Sequence, residues 1–187
     1  MPPSAVAVID VEVQRAQPPY ERILVPTDGS ALSQEAVFEA LKLASSTGAS
    51  VVFLTVVEPF QPLTISTDML ESSRKEYERY AEAHAENLLG QACGWAEDAG
   101  VPYFAVRKWA DQPHEEIIGV ARERNCDLIA MASHGRRGLA AIVLGSVTQK
   151  VLTHSDIPVL VLRRPPAAAT QPGTSNVEAG RPGAGIG

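Results

Sequence analysis

Three glycines and a serine toward the end of the chain, Gly135, Gly138, Gly145 and Ser146, have the residue types of an anion site. Nine residues separate Gly135 from Gly145. Glycine suits positions where the backbone takes a positive φ or comes close to a ligand. The loop follows the apolar run Leu128 to Met131 and precedes a segment of helical character. Ser146 as N-cap, with Gln149 three residues on, would close a capping box and leave the free N–H groups of a helix start facing the loop. Phosphate is the ligand such a geometry accepts most readily, because the donors and the helix dipole act together.

A carboxylate far away in the chain has a related chemistry. Asp28 lies in ILVPTDGS, Ile23 to Ser30, directly after an apolar strand and the turn shaped by Pro26 and Thr27. There it can accept hydrogen bonds from ribose hydroxyls or an adenine edge. The same residue type also serves as a helix N-cap. Arg136 and Arg137 form a basic pair inside the glycine loop, either as solvated charges or as partners of a polyphosphate. His134 stands alone, with no Ser or carboxylate placed by the sequence to form a relay, so no catalytic residue is assigned. His84, His114 and His154 are far apart, and Cys93 and Cys126 lack any CxxC spacing, which argues against a metal site or a disulfide framework. Neither GxxxxGK[ST] nor a GxGxxG after the first strand is present, which disfavours P-loop hydrolases and dinucleotide dehydrogenases.

Composition narrows the class further. A chain of 187 residues suits one domain with tails. With 45% hydrophobic and 20% charged residues it falls among ordinary globular proteins. The net charge of −6 and the scatter of Lys and Arg speak against a nucleic-acid partner. No apolar run approaches the ~18 residues of a membrane span, and the first residues lack a secretory pattern, so the expectation is a cytoplasmic protein with no membrane partner.

The elements that must position these groups follow from periodicity. Residues 22–26, 50–57, 103–109, 127–131 and 158–163 read as strands, several nearly continuously apolar, as parallel strands covered on both faces are. Between them, Ser30 to Ser46 carries Val37, Ala40, Leu41 and Ala44 on one helical face and ends at Gly48. Residues 68–100 place Tyr77, Ala81, His84, Leu88, Ala92, Trp95 and Ala99 on one stripe, with Asp68 and Glu71 near its start. Asp111 precedes a third helix, with Ile117, Ile118 and Ala121 facing inward. Alternation of this kind predicts a three-layer α/β sandwich with a five-stranded parallel sheet and helices on both faces. The expected organisation is a flexible N-terminal extension over 1–19, a domain over 20–164 and a disordered Pro/Gly/Ala-rich tail over 165–187. An apolar alternation at Ala5 to Val13 could add an edge strand.

The segment Asp127 to Arg163 resembles the signature of the universal stress protein family, an adenine-nucleotide-binding α/β family. Its pattern is Gly, two residues, Gly, nine residues, Gly, then Ser or Thr. In this chain the pattern reads Ala132, Ser133, His134, Gly135, nine residues, Gly145, Ser146, with Ala132 where the family has its first glycine. ILVPTDGS belongs to the same likeness, which runs over roughly 20–164. The resemblance implies strand order 3-2-1-4-5, bringing the ends of the first and fourth strands together at the switch point. It also implies that Val56 packs on a base, that Met131 and Ala132 lie along adenine and ribose, and that Gly135, Gly145, Ser146 and Val147 hold phosphates, with Arg136 beside them. The implied ligand is ATP, AMP or another adenine nucleotide, with Mg2+ as an accompanying ion. The implied role is a stress-response sensor or regulator acting on a client protein, with at most slow ATP hydrolysis, as a homodimer through the 158–163 edge strand. The rival is a nucleotide-independent dimeric interaction module. Adenylylating enzymes of related fold carry a glycine- and serine-rich loop after the first strand, where TDGS is short.

Overall fold

A computed structural model of the chain describes residues 18–60, 67–135 and 144–163. Arg136, Arg137 and Gly138 lie outside the described residues, as do both expected tails except for Pro18 and Pro19. The elements run β1 (Arg22–Pro26), α1 (Ala31–Thr47), β2 (Ser50–Val57), α2 (Thr67–Asp98), β3 (Tyr103–Trp109), α3 (Pro113–Glu123), β4 (Leu128–Ala132), α4 (Ser146–His154) and β5 (Val159–Leu162). They form one sheet in the order β3-β2-β1-β4-β5, with every neighbouring pair parallel. The expected three-layer α/β sandwich is the fold of this protein.

Runs such as SVVFLTVV bury both of their faces because successive side chains alternate between two apolar layers. Ile23, Val25, Val51, Phe53, Leu128 and Ala130 pack with Val37, Ala40 and Leu41 of α1 and Leu89, Ala92 and Ala96 of α2. Leu24, Val52, Leu54, Ile129 and Met131 pack with Ile117, Ile118 and Val120 of α3 and Val151 of α4. Phe53 is fully buried, so Phe53→Ala would cost about 3–5 kcal/mol.

Helix ends show where local chemistry won. Ser30 caps α1, its Oγ accepting from the Ser33 N–H at 3.2 Å, and Gly48 closes the helix at φ 75°. On α2 the buried stripe is Ala85, Leu89, Ala92 and Ala96, one position beyond the expected Leu88 and Trp95. Leu88 instead rests against Gly29 in the β1–α1 turn. Asp111 precedes α3 as expected; Gln112 is the cap position, and the helix starts on Pro113 and carries Glu115 and Glu116 in its first turn, where the dipole favours them. The fourth and fifth strands are shifted or shortened slightly against the expected 127–131 and 158–163. Asp127 does not extend β4, because its carboxylate accepts the Glu21 and Arg22 N–H groups at 2.7 and 3.0 Å, bracing the start of β1. Among the described residues no helix is long and apolar enough to cross a membrane.

Candidate functional site

The β1–β4 ladder has register at Ile23↔Leu128 and Leu24↔Ile129, while the strands run on to Pro26 and Ala132. Their C-terminal ends carry the two motifs. On the β1 side the turn is built from small polar groups. The Thr27 N–H donates to Leu54 O at 2.8 Å, and the Thr55 hydroxyl donates to Thr27 O at 3.2 Å, fixing the strand end to β2. Thr27 Oγ1 and Ser33 Oγ pair at 3.1 Å beneath α1. Gly29 has φ 78°, a backbone conformation that favours glycine, and a Cβ there would press on the end of the Leu88 side chain.

Asp28 is not the cap of α1, since Ser30 fills that place. Its Oδ1 accepts the Ser30 N–H at 3.0 Å, which orients the capping residue and holds the carboxylate at the strand end. Its Oδ2 lies where a Cβ on Gly135 would stand, with Asp28 Cγ 3.3 Å from that point. The two motifs therefore touch.

On the β4 side, the Ser133 N–H donates to Leu162 O and the Gly145 N–H donates to Ser133 O, each at 2.8 Å, which joins the loop's two ends at its base. Thr148 in α4 donates its hydroxyl to Ala132 O at 3.0 Å. Gly145, at φ −61° and ψ 150°, is the N-cap of α4, and Ser146 is the first helical residue. The expected capping box of Ser146 and Gln149 is absent: among the described residues no side chain caps α4, and the Gln149 N–H bonds Gly145 O along the backbone. The Gly145–Ser133 bond starts the helix one residue early, which leaves the Ser146 side chain exposed. Neither Gly135 nor Gly145 takes a positive φ; among the described residues Gly29, Gly48 and Gly100 do. Close approach is what these two positions need. A Cβ at Gly145 would stand 3.1 Å from His134 Cα, and at Gly135 it would strike Asp28.

Val56 at the end of β2 and Val147 in the first turn of α4 are partly buried and pack on the cluster that contains Met131. Val56 and Met131, expected along a base and ribose, and Val147, expected at the phosphates, thus share the α3/α4 face. Ala132 does not join them. Its methyl is 7% exposed and lies on the opposite face with Leu32 and Ala36 of α1, with Leu162 packed alongside. Pro26 ends β1 and Thr27 bonds Ser33 in the turn that follows, while Arg136 lies outside the described residues. His134 has a neighbour that spacing did not suggest, its Nδ1 lying 3.2 Å from Ser133 Oγ. The buried hydroxyls of Ser33, Thr55 and Thr148 were also missed, although a lone Thr inside VVFLTVV is a signal for a polar tether at a strand end.

Elsewhere, Cys126 is buried, and that burial pushes its thiol up to about 11. His114 is held below the usual histidine range, first by burial and then by Lys150. It meets His154 edge-on at 5.9 Å between ring centres, in the α3/α4 layer away from the strand ends. Among the described residues no group of three or more His, Cys, Asp or Glu side chains could hold a metal ion.

An open parallel α/β sandwich with two glycine-bearing motifs meeting at its switch point has close counterparts. A family model described as the universal stress protein family matches residues 19–163. Universal stress protein MJ0531 of Methanocaldococcus jannaschii is 32% identical over 150 residues, covering 78% of this chain and 84% of that protein. Universal stress protein YxiE of Bacillus subtilis is 30% identical over 148 residues, covering 77% and 99%. The solved structure of the hypothetical protein MJ0577 superimposes with a TM-score of 0.67 at 30% identity, covering 79% of this chain and 99% of that one. A universal stress protein solved in complex with cAMP gives a TM-score of 0.57 at 26% identity, with 77% and 97% covered. The chain belongs to the universal stress protein family.

Proposed function

We propose that this protein is a cytoplasmic stress-response regulator whose signal is an adenine nucleotide, ATP in the first instance, bound at the ends of β1 and β4. One observation carries the reading: among the described residues α4 begins without a side-chain cap, beside two glycines that leave room for close backbone approach. A helix start of that kind takes phosphate. Gly135, Gly145, Ser146 and Val147 hold the phosphates, with Arg136 beside them. Asp28 binds the sugar or the base, seated by Pro26 and Thr27, while Val56 and Met131 supply apolar contact and Ala132 borders the ribose. The universal stress protein solved with cAMP supports an adenine ligand at this level. Mg2+ would arrive on the phosphates, since Asp28 is the carboxylate at this place and no metal cluster stands among the described residues. Among the described residues of the site none is an activated nucleophile, and slow ATP hydrolysis is the most this reading includes.

A second reading rests on a different observation. β5 closes one side of the sheet as a free edge, with Leu160 38% exposed, and edge strands template pairing with another chain. A homodimer through 158–163 is compatible with the nucleotide reading, but would be the whole function of a nucleotide-independent interaction module.

Calorimetry and thermal melts with ATP, ADP, AMP and cyclic AMP decide between them. A ligand that binds only the folded state at 100 times its Kd adds about 2.7 kcal/mol, so the melting temperature should climb with concentration. Asp28→Ala should weaken binding at least tenfold, and Gly145→Val, which forces a branched side chain against His134, should remove it. Absence of binding by the folded wild type to every one of these nucleotides leaves the interaction module.

A further inference from the structure

The carbonyl that ends β4 is taken up by the helix that follows. The Ile129 N–H bonds Pro158 O at 2.9 Å and the Ser133 N–H bonds Leu162 O at 2.8 Å, so the odd-numbered residues of β4 turn their backbone groups toward β5. By strand alternation the Ala132 carbonyl turns the other way, toward β1. There the ladder has ended, because the last registered pair is Leu24↔Ile129 and the Thr27 N–H at the end of β1 goes to Leu54 O of β2 instead. Ala132 O therefore faces the gap between the two strand ends.

Thr148, the third residue of α4, supplies its donor. The hydroxyl reaches Ala132 O at 3.0 Å, and the residue is only 3% exposed. One residue further along β4, Ser133 O accepts the Gly145 N–H at 2.8 Å, so two consecutive carbonyls anchor the start of α4. The chemistry matters as much as the anchoring. A phosphate offers acceptor oxygens, and a bare carbonyl in the gap would present it with another acceptor. A hydroxyl donated to that carbonyl removes the conflict.

On the nucleotide reading given above, we propose that Thr148 is a positioning residue of the site: its hydroxyl occupies Ala132 O and sets the first turn of α4 so that its backbone donors meet the phosphates. Thr148 acts through the carbonyl and the helix start, without touching the ligand. Its effect must then follow the phosphates, since Asp28, Val56 and Met131 hold the sugar and base independently of it. Thr55 gives the contrast. Its hydroxyl donates to Thr27 O at 3.2 Å, on the β2 side of the site and away from α4.

Calorimetry with ATP and AMP, and competition binding with adenosine, test this on the full-length protein. Thr148→Val and Thr148→Ala remove the hydroxyl with and without the branched shape, whereas Thr148→Ser keeps it; urea denaturation establishes that each variant is folded. Both hydroxyl-free variants should lose at least about tenfold in ATP affinity, less for AMP, and stay within about threefold for adenosine. Thr148→Ser should stay within about threefold of wild type for all three. Equal losses for the three ligands overturn the proposal, as does a serine variant as weak as the alanine one, or undiminished ATP affinity in both hydroxyl-free variants. So does the same graded loss in Thr55→Val, which would trace the grading to general loosening of the site. A folded wild type that binds none of the three ligands overturns the nucleotide reading itself, and the role of Thr148 at a phosphate with it.

Discussion

The Asp28 carboxylate occupies the space beside Gly135 that the Cβ of any other residue would need. The contact joins the ends of β1 and β4, two strands whose motifs stand more than a hundred residues apart in the chain. Glycine is therefore required at position 135 by its neighbour and not by a left-handed backbone. Gly135→Ala should displace Asp28, disturb the Ser30 N–H bond at the start of α1, and cost about 1–3 kcal/mol of stability as an overpacked site does. Nucleotide affinity should fall at least tenfold. Urea denaturation and calorimetry on the same preparation would show both effects; unchanged affinity would remove Asp28 from the binding site.

Ala132, where the family has glycine, gives the converse prediction. Its methyl lies under α1 with Leu32 and Ala36, on the face opposite Met131. Ala132→Gly should thus destabilise the fold by about 1–2 kcal/mol, from a lost buried methyl and a more flexible strand end. Affinity for ATP should stay within about threefold, less than ~1 kcal/mol. A tenfold gain in affinity would show that the methyl obstructs the ligand after all.

How far the sequence could be read depended on the range of the interactions. β1 and β2 were found at their bounds because a strand buried on both faces is a continuous apolar run, and nothing else competes for ILV or VVFLTVV. Convergence of Asp28 and Gly135 was legible only as adjacency of strand ends, since the sheet order came from family resemblance. The contact itself depends on side-chain placement that no spacing encodes. The α4 cap was misread because the Ser133–Gly145 backbone bond outweighed the local preference of Ser146 for a cap. In α2 the expected stripe shares Ala92 with the buried one and is a residue off at Leu88 and Trp95, because the 3.6-residue period over a 32-residue helix lets adjacent stripes fit almost equally well.

Cys126 makes a prediction about alkaline pH. Its thiol is raised from an ordinary 9.0 to about 11, chiefly by burial. A raised thiol favours the neutral form in the folded state, so its contribution to stability is complete below about pH 9 and is lost as the pH rises to about 11. Over that window the unfolded chain gives up its proton first. Wild type should lose up to about 2 kcal/mol more than Cys126→Val across it, as the shift converts by linkage. Denaturation at several pH values on both proteins reads the difference directly, and equal slopes would show that the thiol is solvated.

The β5 edge provides the last prediction, and its backbone makes the test clean. The Ser133 N–H bonds Leu162 O and the Ile129 N–H bonds Pro158 O, so even-numbered residues of this strand face β4. By alternation the Val161 N–H points outward, away from the sheet. Val161→Pro therefore removes a donor available to a second chain while leaving the β4–β5 ladder its own bonds. If 158–163 forms the dimer contact, light scattering should show a dimer for wild type and a monomer for Val161→Pro at the same micromolar concentration, with the folding midpoint of the monomer reduced. A dimer that persists in Val161→Pro places the contact elsewhere, and a wild type that is monomeric at that concentration rules the contact out.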